Sequence, residues 1–203
     1  MCNAHCTDQA FAPINALTGE SMTETPNLSL PVYTIGHSTR AIPEFGALLG
    51  ESGIEVVADV RAIPRSRTNP QYNLDVLPVS LEALGIDYQH FPDLGGRRHH
   101  PRGAPPSPNT FWRNESFRNY ADYATTEAFE VGFARLRDLA ARQRCAIMCS
   151  EAVWWRCHRR IISDYLIARG VAVMHIMGLG KTEPATLTPN AHQLGNGTLV
   201  YRA

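Results

Sequence analysis

The sequence predicts an α/β fold in three layers: a mainly parallel five-stranded sheet with helices on both faces. Three observations predict it. Short β-branched runs alternate along the chain with segments of helical spacing, the order that builds a parallel sheet. The best of these runs are apolar on consecutive residues, as in strands buried on both faces. A hydrophobic content of 44% in 203 residues supplies one ordinary core.

The first strand is VYTIG at 32–36, rich in β-branched and aromatic residues and stopped by Gly36. Residues 42–52 carry Phe45, Leu48 and Leu49 at helical spacing, with Pro43 in the first turn. Residues 54–60 form a buried second strand. A Pro- and Arg-rich loop over 61–78 follows, then a short helix at 80–84 closed by Gly85. The third strand covers 86–91. The next loop, LGGRRHHPRGAPPSPNTFWRNESF, is too long for a plain connection. Residues 120–142 give the longest helical pattern, with Phe129, Phe133, Leu136 and Leu139 on one face. CAIMC at 145–149 is the fourth strand, 157–169 a helix closed by Gly170, and 171–177 the fifth strand. Beyond Gly178 the chain is poor in apolar residues and is expected to run over the surface. Residues 1–28 are polar and read as a flexible arm, leaving one α/β domain over 29–203.

The formal net charge is zero, which gives no global argument for nucleic acid or a membrane. No apolar run approaches the roughly 20 residues that span a bilayer. The first twenty residues lack the basic start and apolar stretch of a signal peptide, so a cytoplasmic protein is expected. Five cysteines, an odd number, do not suggest a disulfide framework. Cys2 and Cys6 flank His5, but that set is wrong for a metal site. No cofactor is expected.

The placement of the arginines is more informative. The chain has 18 Arg and one Lys. Ligands of an open parallel sheet bind outside the carboxyl ends of its strands. After the first strand come His37, Ser38 and Arg40. After the second come Arg61, Arg65 and Arg67, with Asp59 at the strand end. After the third come Gly95, Gly96 and Arg97, followed by Arg98 and Arg102. After the fourth come Glu151, Arg156, Cys157, His158, Arg159 and Arg160. Ten of the 18 arginines fall in these four loops. Guanidinium pairs bidentately with phosphate or carboxylate, so the rim fits an anion. The plain alternative is that loops are polar anyway and some arginines pair with Asp59, Asp93 or Glu151.

Cys149 ends a buried strand, and Cys157 opens the next helix. Unpaired N–H groups at a helix start bind anions and lower the pKa of a nearby thiol. Cys149 is therefore a candidate thiolate nucleophile. Strand, Cys, loop, helix is also the layout of rhodanese-like domains and Cys-based phosphatases, and Asp59-Val60-Arg61 resembles a rhodanese strand end. The likeness is one of fold. Six residues separate Cys149 from Arg156 where those phosphatases have five, and no glycine offers a backbone cradle.

A closer resemblance covers most of the chain. The run from Tyr33 to Ser38, Asp59-Val60-Arg61 with Pro64, Arg65 and Ser66, the Leu94-Gly95-Gly96 loop, and Cys149-Ser150-Glu151 followed by Cys157-His158-Arg159 resemble the DUF488 family of prokaryotic domains. The resemblance implies an α/β fold and a shared site, and brings no established reaction. Val153-Trp154-Trp155-Arg156 departs from the acidic, polar and Pro residues usual there.

Glu151 is either a general acid or base, or a partner orienting Arg61 or Arg159. His158 is a base, an anion donor or a plain surface histidine. His37 reaches the rim from a strand end. A metal held by Cys149, Cys157 and His158 is disfavoured, because the spacing is unusual and adjacent Cys-His ligands are awkward for one tetrahedral centre. Cys145, in mid-strand, is expected to be an inert core thiol. Trp154 and Trp155 either stack on a base or pack and cap locally.

Two functions follow. One is an enzyme, hydrolase or transferase, acting on an anionic small molecule or nucleotide, with Cys149, Glu151 and His158 catalytic and the arginines as clamps. The other is a nucleic-acid-binding module using the same Arg and Trp rim.

Overall fold

The structure is a computed structural model and describes residue 1, residues 30–100 and residues 102–203. The arm over 1–28 and the Cys2, His5, Cys6 group fall outside the described residues, apart from Met1. Five strands, β1 (Val32–Gly36), β2 (Val56–Asp59), β3 (Asp87–His90), β4 (Cys145–Cys149) and β5 (Val173–Gly178), lie parallel. A sixth, β6 (Lys181–Pro184), adds antiparallel to β5, so the sheet order is β3-β2-β4-β1-β5-β6.

Helices cover both faces. Along β2 successive side chains alternate: Val56 and Ala58 face one cluster and Val57 the other. On the Val57 side lie α1 (Ile42–Glu51), through Phe45, Leu48 and Leu49, and α2 (Leu77–Glu82), through Leu77 and Leu81. On the other side lie α3 (Glu115–Tyr123), α4 (Glu127–Ala140) and α5 (Arg159–Ala168).

The helix expected over 120–142 is two helices. Thr125 and Thr126 turn their hydroxyls back onto the carbonyls of Asp122 and Tyr123, and Thr126 then caps α4 by accepting the Phe129 N–H. The preceding helix, α3, starts earlier than expected, capped by Asn114, whose side chain accepts the Ser116 N–H at 2.8 Å. At the other junction, Cys157 is extended (φ −127°, ψ 147°), so α5 begins two residues later than the sequence suggests.

The C-terminal expectation needs correcting. Past Gly178 the chain forms β6 and a hairpin of β7 (Ala191–Gln193) and β8 (Leu199–Tyr201), and all of β8 is buried. Tyr201 donates to Asp164 at 3.0 Å, and the Leu199 N–H to Tyr165 at 3.1 Å, which pins the hairpin to α5.

The register aligns the strand ends that matter. Gly36 pairs with Cys149, and Asp59 with both Met148 and His90. The loops after β1, β2, β3 and β4 therefore leave the sheet at one level.

Candidate functional site

Those loops enclose a cleft of about 720 Å³ at the carboxyl edge of the sheet. Close backbone approach shapes it. The ladder between β1 and β4 continues past both strands, His37 N–H donating to Cys149 O at 2.9 Å and Ser38 N–H to Ser150 O at 3.0 Å. A Cβ on Gly36 would overlap the Glu151 carbonyl. A Cβ on Gly95 would lie 2.6 Å from Ala62 Cα, and one on Gly96 would occupy the space of the His158 ring. The two glycines thus let the loop after β3 press against the loop after β2 and leave room for His158.

One wall rests on a buried polar network. Asp59, fully buried, accepts Arg61 Nε–H at 2.9 Å, Arg61 Nη2–H at 2.6 Å and Tyr88 O–H at 2.7 Å. Arg61 also donates to the Tyr72 carbonyl at 2.7 Å and to His37 Nε2 at 3.3 Å. Burial opposes the Arg61 charge, but the Asp59 carboxylate outweighs it and holds Arg61 more firmly protonated than usual. His37 Nδ1 faces the Ser38 carbonyl at 2.8 Å, an acceptor only, so Nδ1 carries the proton and Nε2 accepts from Arg61. Burial, with the ring stacked on Tyr72 at 3.9 Å, pulls the His37 pKa down to about 4.

The floor is a thiol pair. Cys149 Sγ, Cys157 Sγ and His158 Nδ1 lie within 4.8 Å of one another. Arg159 reaches back to donate Nε–H to Cys157 Sγ at 3.2 Å, while its Nη2 donates to the Glu151 carbonyl. His158 Nε2 lies 2.9 Å from the Val60 carbonyl. That oxygen only accepts, so Nε2 carries a proton, and Nδ1 is the ring atom that faces the two sulfurs. Burial pushes the Cys157 thiol up, but the neighbouring Cys149 thiol, the Arg159 guanidinium and the Arg159 backbone N–H outweigh it and bring Cys157 well below an ordinary thiol. The neighbouring Cys157 sulfur and burial push the Cys149 thiol well above. Cys145, alone in the sheet, is pushed up to about 12 by burial.

The strand-end argument singled out Cys149; the neighbouring Cys157 is the thiol that has a guanidinium on its sulfur and the surroundings more favourable to a thiolate. Of the residues singled out from sequence, His37, Ser38, Arg61, Arg65 and Gly96 line the cleft. So do Arg97, Cys149, Glu151, Cys157 and His158. Asp59, Gly95 and Arg159 stand behind it, holding Arg61, Ala62 and Cys157. Two do not belong to the lining. Arg40 turns to Glu44 at 3.1 Å and to the Gly36 carbonyl, and Arg67 is exposed outside the cleft. Glu151 is exposed at the rim.

Arg65, Arg97 and Arg156 line the cleft with exposed side chains, and none has a carboxylate partner among the described residues. Arg98 and Arg160 are committed elsewhere, to the carbonyls of Pro92, Asp93 and Gly95 and to Thr188. Asn114, Ser116 and Phe117, at the start of α3, also line the cleft and were missed. Asn114 as a cap two residues before Ser116 was the available signal. Trp112 is buried against Phe117 and Tyr201, and Trp154 stacks on His175 at 4.4 Å. Trp155, 45% exposed, is the tryptophan left at the surface.

Comparison with known protein families gives a match. The family model Domain of unknown function DUF488 matches residues 41–166, from the start of α1 into α5. No curated protein and no solved structure matches the chain.

Proposed function

The chain belongs to the DUF488 family, and we propose that it is an enzyme, a hydrolase or transferase, acting on a phosphate-bearing or similar anionic substrate with Cys157 as its reactive thiolate. The observation that carries this reading is the Arg159 Nε–H to Cys157 Sγ contact at 3.2 Å, on the floor of a cleft lined by Arg65, Arg97 and Arg156. A thiolate is the nucleophilic form of cysteine, and a guanidinium fork fits an oxyanion.

Roles follow from position. The three exposed arginines clamp the anion at the rim. Cys157 attacks an electrophilic centre held over the floor. Cys149 keeps the proton beside it, within reach of a departing group. Ser38 and Ser150 offer hydroxyls to the substrate. Arg61 is neutralised by Asp59 and positions His37 instead of binding the anion. Glu151 supplies a carboxylate at the rim, suited to moving a proton to or from the second reactant. A nucleic-acid surface is the weaker reading, because aromatic platforms are needed for stacking and two of the three tryptophans pack into the protein.

The test is competitive alkylation of the reduced, chelator-treated protein at neutral pH, read by peptide mass spectrometry. Cys157 is labelled first, Cys149 later and Cys145 only on unfolding, and inorganic phosphate slows the Cys157 reaction. Labelling of Cys157 no faster than Cys145 would contradict the reading. Protection by an oligonucleotide but not by phosphate or nucleotides would replace the substrate class.

A further inference from the structure

The floor of the cleft has a second property that nucleophilic chemistry does not use. Three soft donors point at one place: Cys149 Sγ, Cys157 Sγ and His158 Nδ1, within 4.8 Å of one another. The Nδ1 atom lies 3.6 Å from Cys157 Sγ and 4.0 Å from Cys149 Sγ. Zinc binds sulfur at about 2.3 Å and imidazole nitrogen at about 2.0 Å in a tetrahedron, which puts the ligand atoms roughly 3.5 to 3.8 Å apart. The two nitrogen–sulfur distances are already near that figure, and the two sulfurs, within 4.8 Å of each other, would draw together by up to about 1 Å on binding.

The surroundings are those of ligating groups. A ligating histidine characteristically donates its other ring N–H to a carbonyl or carboxylate, which fixes tautomer and orientation. His158 does this to Val60, at 2.9 Å. Gly96 leaves open the space a side chain would take from the ring. Arg159 already donates to one sulfur from behind. Two thiolates cancel the charge of a divalent ion, so the Arg159 guanidinium would face a neutral centre. The objection from sequence was that adjacent Cys and His are awkward ligands for one tetrahedral centre, and the local backbone answers it. Cys157 is extended and His158 is the first helical turn, so their side chains converge.

We propose that Cys149, Cys157 and His158 form a site for one soft divalent ion, Zn2+, with its fourth position open to the Arg-lined cleft, and that the bound ion silences the thiolate. Binding forms two Zn–S bonds and one Zn–N bond, and the Cys149 thiol proton leaves to solvent. A sulfur so engaged cannot attack an electrophile. Water or an anion takes the fourth position. Thiolate and imidazole donors favour zinc over the hard ions Mg2+ and Ca2+. The silencing rests on the thiolate reading above; the site itself does not.

The experiment uses the full chain carrying Cys2→Ser and Cys6→Ser, which removes the two other cysteines outside the core strands. The reduced, chelator-treated protein is titrated with Zn2+ against a chromogenic chelator, and alkylation of Cys157 is followed at each point. One equivalent binds, Mg2+ does not compete, and labelling of Cys157 falls in proportion to bound zinc. His158→Ala and Cys149→Ser each weaken zinc binding by about a hundredfold. Co2+ in place of Zn2+ gives a thiolate charge-transfer band that Cys149→Ser reduces. No stoichiometric binding, or binding that neither substitution alters in a chain still folded by circular dichroism, overturns the site. Stoichiometric binding that leaves Cys157 labelling untouched overturns the silencing. A Cys157 inert in the metal-free protein, with zinc still bound, removes the thiolate reading and keeps the metal site.

Discussion

Arg159 bonds the sulfur of Cys157, two residues earlier in the chain, at 3.2 Å. The contact depends on a change of backbone at that point: Cys157 is extended, His158 is helical, and the guanidinium folds back under the thiol. Replacing Arg159 by Met keeps much of the buried volume and removes the charge. Alkylation of Cys157 at neutral pH is expected to slow by about tenfold or more, as the thiol returns toward ordinary behaviour. An unchanged rate, with the variant folded, would show that other groups hold the thiolate.

The Asp59–Arg61 pair carries structure more than chemistry. Asp59→Asn leaves a buried guanidinium with no carboxylate and is expected to cost about 3 kcal/mol or more. Urea denaturation measures this directly. Asp59→Asn together with Arg61→Met should recover part of the loss, because the stranded charge is gone.

Gly96→Ala tests whether the loop after β3 positions His158. The new methyl enters the space of the imidazole ring, which must turn away from the sulfurs. The expected result is a fold retained by circular dichroism with altered Cys157 labelling. A variant that labels as the wild type does would place the ring's position elsewhere than in this contact.

Stability should fall with acid before the carboxylates titrate. Burial holds both His37 and His175 at a pKa of about 4, against about 6.5 in an unfolded chain. Between those values the unfolded state binds more protons than the folded one. The contribution of the two histidines to stability is therefore full above about pH 6.5 and declines as pH drops toward 4. Asp164, raised by burial, opposes this trend. His175→Gln removes one of the two imidazoles and should flatten the slope measured by urea unfolding at pH 7 and pH 5. An unchanged slope would show that His175 is not neutral in the fold.

The sheet was legible where strands are buried on both faces, because such strands leave continuous apolar runs: β1, β2 and β4 fall where the sequence puts them. The break between α3 and α4 was hidden, since the apolar spacing of the two helices runs on through Thr125 and Thr126, and only the hydroxyl contacts end one and cap the other. The C-terminal strands are three or four residues long, too short for a periodic signal, and β6 and β7 are largely polar. In the site, the strand-end rule brought four loops together correctly as a matter of topology. It could not distinguish free arginines from committed ones. The loss of Arg40 to Glu44 is an i,i+4 pairing visible in sequence, whereas the capture of Arg61 by Asp59 and of Arg159 by Cys157 depends on burial and local backbone. For the same reason, which cysteine faces the guanidinium could not be read from spacing.

The proposed function stands on Cys157 being a thiolate in an anion-binding cleft. The most direct test compares its alkylation by iodoacetate, which is anionic, with iodoacetamide, which is neutral, at low salt and neutral pH. The ratio is expected to favour iodoacetate more at Cys157 than at a free thiol such as glutathione. Arg65→Ala with Arg156→Ala should bring the ratio back toward that of glutathione. A ratio equal to glutathione in the wild-type protein, or one indifferent to those substitutions, would contradict the proposed function.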